Sequence, residues 1–125
     1  MIGHLIQVAV GGAVGASLRW LIGLWIVRSF GHGFPVAVLS ANVLGSFLLG
    51  VFVVVAAHRG LTHLSPLIVT GLFGGFTTFS AFSLETFTLF ERGEIGQAAL
   101  YVFLSVSLAV GSLVLGIYLA RSVLV

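Results

Sequence analysis

The chain has no cysteine, no lysine and no aspartate. Without cysteine there is no disulfide, no thiolate metal site and no thiol nucleophile. Charge is scarce altogether: five arginines and three glutamates make up 6% of 125 residues. A soluble domain carries about 25% charged residues, and a surface this poor in charge would not stay solvated. The composition therefore points to a membrane protein. The formal net charge of +2 is too small a surplus for a nucleic-acid-binding patch. His4, His32, His58 and His63 fall at chain ends or in connections, with no H-x-x-x-H pair and no carboxylate cluster beside them. That pattern argues against a metal or catalytic centre built from side chains. No nucleophile–base constellation stands out either, so the chain does not read as an enzyme. It also lacks internal repeats and low-complexity tails.

What it has is apolar length. Hydrophobic residues make up 59% of the chain, and glycine contributes 17, which in membrane helices marks close packing. Apolar segments at about 2–27, 36–57, 66–90 and 97–120 each reach the roughly 20 residues that cross a hydrocarbon core. In lipid the backbone must satisfy its own hydrogen bonds, so each is expected to be a helix. The expectation is a single four-helix transmembrane domain over 1–125. The connections "RSFGHGFP" (28–35), "HRGLTHLS" (58–65) and "ERGEIG" (91–96) hold most of the charge. The first span lacks the basic start and small-residue cleavage pattern of a signal peptide.

Four spans put both termini and the 58–65 connection on one side, with Arg59 and Arg121. Arg28 and Arg92 lie on the other side, and Arg19 lies within its span. With two arginines against two, the positive-inside rule barely favours either orientation. Either one weak bias fixes the orientation, or the chain inserts both ways and two copies pair antiparallel.

Polar residues inside the spans are few. "GLFGGFTTFSAF" (71–82) places Gly74-Gly75 and three hydroxyls in the third span, where poor helix formers weaken the helix. A break at Gly74-Gly75 is expected there, since broken helices at membrane depth line cavities or free carbonyls for ions. At roughly 100° per residue, Phe79, Phe82, Ser83, Thr86 and Gly75 share one arc. A phenylalanine edge carries partial positive charge, so rings and hydroxyls together form either a packing face or a weak anion lining. Asn42, the only asparagine, is either an interhelical hydrogen-bond partner or an amide donor facing a pore. Arg19 either binds carbonyls at a helix end or acts in function. Glu85 fits a mouth better than the depth of an anion path. Tyr101, Ser105 and Ser112 form one stripe on the fourth span, and Ser107 lies off it.

"GGFTTFSAF" after "TGLF", with "ANVLGSFLLG" and "GGAVGASLRW" upstream, resembles the Fluc/CrcB family of fluoride channels over essentially the whole chain. The resemblance implies an all-α protein of four transmembrane helices with the third broken. It further implies a dual-topology antiparallel homodimer in a bacterial inner membrane, exporting fluoride passively. Asn42, Phe79, Phe82 and Ser83 match the family's fluoride pathway. Tyr101 and Ser105 match pore-facing positions of the fourth helix, with Ser107 as the alternative to Ser105. Arg19 and Glu85 match a first-helix arginine and a vestibule glutamate. The backbone carbonyls of Gly74 and Thr77 match those that hold a sodium ion at the dimer centre. Ala81 departs from the family, which has serine or threonine there, and removes one hydroxyl from its polar track. The rival reading is a small multidrug-type dual-topology cation transporter, which needs a carboxylate in its first span; this span has none. A non-transporting assembly subunit would not need Asn42 and the ring–hydroxyl arc.

Overall fold

A computed structural model describes every residue except His32 and Val125; His32, expected in the first connection, thus lies outside the described residues. The chain is all-helical. Helix α1 spans Ile2–Phe30 and α2 spans Val36–Arg59. A short 3₁₀ turn, Thr62–Leu64, leads into α3, which consists of a π-wound stretch, Pro66–Phe73, and one α-helical turn, Gly74–Phe76. Helix α4 spans Phe79–Glu91 and α5 spans Ile95–Leu124. Four stretches are long and apolar enough to cross a membrane: Ile2–Phe30, Val36–Arg59, Pro66–Glu91 and Ile95–Leu124. The helices run past the apolar limits at 27, 57 and 120 and carry Arg28, Arg59 and Arg121 in their last turns. Cations there complement the negative end of the helix dipole. Glycines stop three helices: Gly31 (φ 83°) after α1, Gly60 (φ 70°) after α2 and Gly93 (φ 81°) after α4. Behind the last two, a backbone N–H reaches back five residues, Leu61 to Ala56 and Glu94 to Leu89, the pattern of a glycine-closed helix end.

Two helix pairs meet through glycine. On α1, Gly11 and Gly15 face α3, where Gly71 and Gly75 face back. A Cβ on Gly15 would overlap the Leu72 carbonyl oxygen, and one on Gly75 would lie 2.7 Å from the Gly12 carbonyl oxygen. The Gly11-x-x-x-Gly15 spacing of the sequence is therefore met by a second one, Gly71-x-x-x-Gly75. Gly50 of α2 and Gly116 of α5 make the second pair, backed against the carbonyls of Leu113 and Phe47. With little hydrophobic drive between helices in lipid, such close backbone approach supplies the packing. A small apolar core of Phe82, Leu89, Ala98 and Tyr101, flanked by Phe34, Val38 and Leu39, joins α4 and α5 to the head of α2.

The third span leaves helical geometry, but not at Gly74-Gly75. Gly74 is helical (φ −62°, ψ −37°), and Gly74–Phe76 form an α turn. The extended residues are Thr77 (φ −92°, ψ 157°) and Thr78 (φ −151°, ψ 127°). The expected position of the break is thus corrected by three residues. Gly75 serves close contact with α1, whereas Thr78 caps α4: its Oγ1 accepts the Ala81 N–H at 3.2 Å, as a threonine does at a helix start. Eleven residues precede the interruption in the span, Pro66–Phe73 and Gly74–Phe76, and thirteen follow it, so it falls near mid-span.

Candidate functional site

The interruption is held open by α2. Asn42 Nδ2 donates to the Thr78 carbonyl oxygen at 3.0 Å, and the Thr78 N–H donates to Asn42 Oδ1 at 2.8 Å. One side-chain amide thus satisfies both backbone groups of an extended residue that lipid could not satisfy. In an unbroken helix the Thr78 N–H would donate to the carbonyl of Gly74; the bond to Asn42 leaves the Gly74 oxygen without that donor. Gly75 finds a substitute, because Arg19 Nε donates to its carbonyl oxygen at 3.1 Å. Of the two readings of Asn42, the interhelical hydrogen-bond partner is the one met here. Arg19 binds a carbonyl near the helix break, as one of its readings held, and lines a separate groove with Trp20 and Val27.

Beside the interruption lies a groove of about 270 Å³, lined by Asn42, Ser46, Thr77, Thr78, Phe79, Phe82 and Ser105 among others. The second, third and fourth spans all contribute. A larger groove of about 620 Å³ on the other side of Phe82 is lined by Ser83, Thr86, Phe87 and Phe90, with Ile95 and Ala98 from α5. Phe82 belongs to both and is 9% exposed, whereas Phe79 is 76% exposed. Their ring centroids lie 5.3 Å apart at 49°. Tyr101 is fully buried and packs its ring on Phe82 at 5.3 Å. The Tyr101 hydroxyl and Ser105 Oγ, buried one turn apart on α5, have no hydrogen-bond partner among the described residues. Ser105 is 6% exposed and faces the smaller groove, and Ser107 is exposed elsewhere on α5.

These features fit one family. A family model described as CrcB-like protein, Camphor Resistance (CrcB), matches residues 6–117. The chain belongs to the CrcB family. Among its relatives, one from Roseobacter denitrificans named Fluoride-specific ion channel FluC is 66% identical over 121 residues, covering 95% of this chain and 96% of the relative. A relative of the same name from Ruegeria sp. is 62% identical over 121 residues, covering 96% of each. Another, from Jannaschia sp., is 68% identical over 103 residues, covering 78% of this chain and 98% of the relative.

In this CrcB chain three hydroxyls of α4 bond back to their own helix, while Ser80 Oγ pairs with Thr78 Oγ1 at 3.2 Å. Ser83 Oγ donates to the Phe79 carbonyl at 3.0 Å, Thr86 Oγ1 to that of Phe82 at 2.8 Å, and Thr88 Oγ1 to that of Leu84 at 2.8 Å. Thr77 Oγ1 likewise donates to the Phe73 carbonyl at 2.8 Å. Ser83 and Thr86 share the larger groove with Phe82, but Gly75 does not belong to their arc, because the interruption lies between. Glu85 is half-buried and lines neither groove. Sequence reasoning passed over Thr78; its signal was a threonine directly before a run of thirteen helical residues, the position of an N-cap. It also passed over Phe34, whose ring meets Tyr101 from the first connection.

Proposed function

We propose that this chain is a fluoride-specific channel that lets the anion leave the cell passively through the membrane. The observation that carries the reading is the convergence of Asn42, Phe79, Phe82 and Ser105 from three spans on one groove, in a chain 66% identical to a relative named for fluoride conduction. Such a lining suits the task. Ring edges, hydroxyls and amide N–H groups attract an anion without a full positive charge that would trap it. They replace part of the ion's hydration shell, and a narrow path rejects ions they do not fit. The reading involves no bond-making chemistry.

The finer reading is a dual-topology antiparallel homodimer in a bacterial inner membrane, with Asn42, Phe79, Phe82, Ser83, Tyr101 and Ser105 along each path. Three observations support a second copy. Extended backbone near mid-span needs protein or water beside it, not lipid; Gly74, Phe79 and Ser80 are exposed at that level; and the arginines outside the spans are balanced two against two. Arg19 and Glu85 take supporting places, Arg19 at the Gly75 carbonyl and Glu85 at a path mouth.

Sodium fits the carbonyls at the interruption. Gly74 lacks its helical donor, and Thr77, at ψ 157°, turns its carbonyl away from the α-helical direction. Hard oxygens of this kind suit a small cation, and both would come from backbone. A bound sodium would offset the carbonyls' partial negative charge and join two interruptions. Thr77→Ser keeps the backbone and the hydroxyl bond to Phe73, so fluoride efflux and dimer elution are expected within about twofold of the original chain. Loss of the dimer in that variant would count against a backbone role.

Efflux from liposomes tests the function, with chloride as the control ion. Fluoride is expected to leave rapidly and chloride to stay; fluoride efflux no faster than from protein-free vesicles would overturn the reading. Phe82→Ile should slow fluoride efflux by at least about tenfold, whereas exchange for a similar-sized apolar side chain costs the fold only about 1–2 kcal/mol. A Phe82→Ile channel running at the original rate would remove the ring from the pathway.

A further inference from the structure

We propose that Phe34 is a positioning residue for this pathway: it holds the Tyr101 ring and, through it, the Phe82 ring that lines both grooves. The inference rests on the channel reading above. It starts from the backbone. Pro35 sits at φ −76° and ψ 67°, the geometry of an inverse γ-turn, closed by the Val36 N–H on the Phe34 carbonyl at 2.7 Å. The proline ring locks φ, so Phe34 is fixed to the first residue of α2 and not left on a free connection.

From there four rings run in series. Phe34 meets Tyr101 edge to face at 5.4 Å and 87°, the arrangement in which a positive ring edge faces a negative ring face. Tyr101 meets Phe82 at 5.3 Å and 43°, and Phe82 meets Phe79 at 5.3 Å and 49°. The Tyr101 hydroxyl has no hydrogen-bond partner among the described residues. The Ser105 hydroxyl, one turn along α5, is the polar group beside it, and contact with Phe34 on one side and Phe82 on the other sets the place of the ring. Loss of the Phe34 ring would let Tyr101 shift and Phe82 turn with it, changing the wall of the path without touching a residue that lines it.

The test uses the full chain in liposomes, with fluoride efflux and detergent elution measured for the original chain, Phe34→Leu, Phe34→Tyr and Pro35→Ala. Phe34→Leu keeps an apolar side chain but no ring, and is expected to slow efflux roughly threefold to tenfold with elution unchanged. Phe34→Tyr restores a ring and should restore the rate. Pro35→Ala leaves all four rings in place but loosens the turn, and should slow efflux by a smaller factor. An unimpaired Phe34→Leu, or a Phe34→Tyr as slow as Phe34→Leu, overturns the inference. Should Phe34→Leu fail to fold, Pro35→Ala decides: slowed efflux supports positioning, and an unchanged rate overturns it. An original chain that carries no fluoride overturns the channel reading and this inference together, whereas a working one with an unimpaired Phe34→Leu overturns only the latter.

Discussion

Replacing Asn42 with leucine is expected to abolish fluoride efflux and to destabilise the protein by about 2–6 kcal/mol. The magnitude follows from what the side chain holds: it bonds both the N–H and the carbonyl of Thr78, and each group left unpaired in an apolar surrounding costs about 1–3 kcal/mol. Thermal unfolding in detergent, followed by tryptophan fluorescence or loss of the elution peak, reads the second effect. The pairing matters for interpretation. An Asn42 that served only as a free donor to the ion would, when removed, lower efflux and leave the melting temperature unchanged. Efflux near the original rate would exclude Asn42 from the pathway, and an unchanged melting temperature would exclude it from stabilising Thr78.

Gly15→Val should have an equally large effect by a different route. A Cβ at Gly15 would overlap the Leu72 carbonyl oxygen and stand 2.9 Å from the Phe76 nitrogen. Both obstacles are backbone, and neither can rotate aside. Helices α1 and α3 would have to part, which also pulls Arg19 from the Gly75 carbonyl. The expected result is no monodisperse protein after extraction. Gly3→Val is the control, because nothing lies within 4 Å of a Cβ there, and it should elute as the original chain does. A Gly15→Val protein that elutes and conducts normally would show that α1 and α3 do not depend on that contact.

The four helices were legible because lipid leaves the backbone few options: long apolar runs become helices whatever their local propensities. Close packing through glycine was legible too, since 17 glycines in so apolar a chain mark it. The position of the interruption was not. Weak helix propensity at Gly74-Gly75 pointed to a break, yet a glycine in a helix also lets another backbone approach, and at Gly75 that use prevailed. What opens the chain at Thr77–Thr78 is competition for hydrogen bonds from Asn42, thirty-six positions upstream of Thr78, and no local window contains that. The arc drawn through Phe79, Phe82, Ser83 and Thr86 survives because all four lie within α4. Tyr101 and Ser105 could be placed on one stripe of α5, but their burial against Phe82 and the contact from Phe34 depend on how α2, α4 and α5 meet. That is a tertiary fact with only a weak trace in the sequence.

The inward bonds of Ser83 and Thr86 bear on the timing of conduction. Each hydroxyl proton points to a carbonyl of its own helix, so the oxygen lone pairs are left for whatever occupies the larger groove. A water molecule can donate to such a wall, and an anion is repelled until a hydroxyl swings outward. Side-chain rotations at accessible positions take picoseconds to nanoseconds, and the charge-assisted bond gained to an anion is stronger than the neutral carbonyl bond given up. On the channel reading proposed above, such a wall reverses its polarity as an ion arrives and restores it as the ion departs, with no charged group left behind to detain the next one.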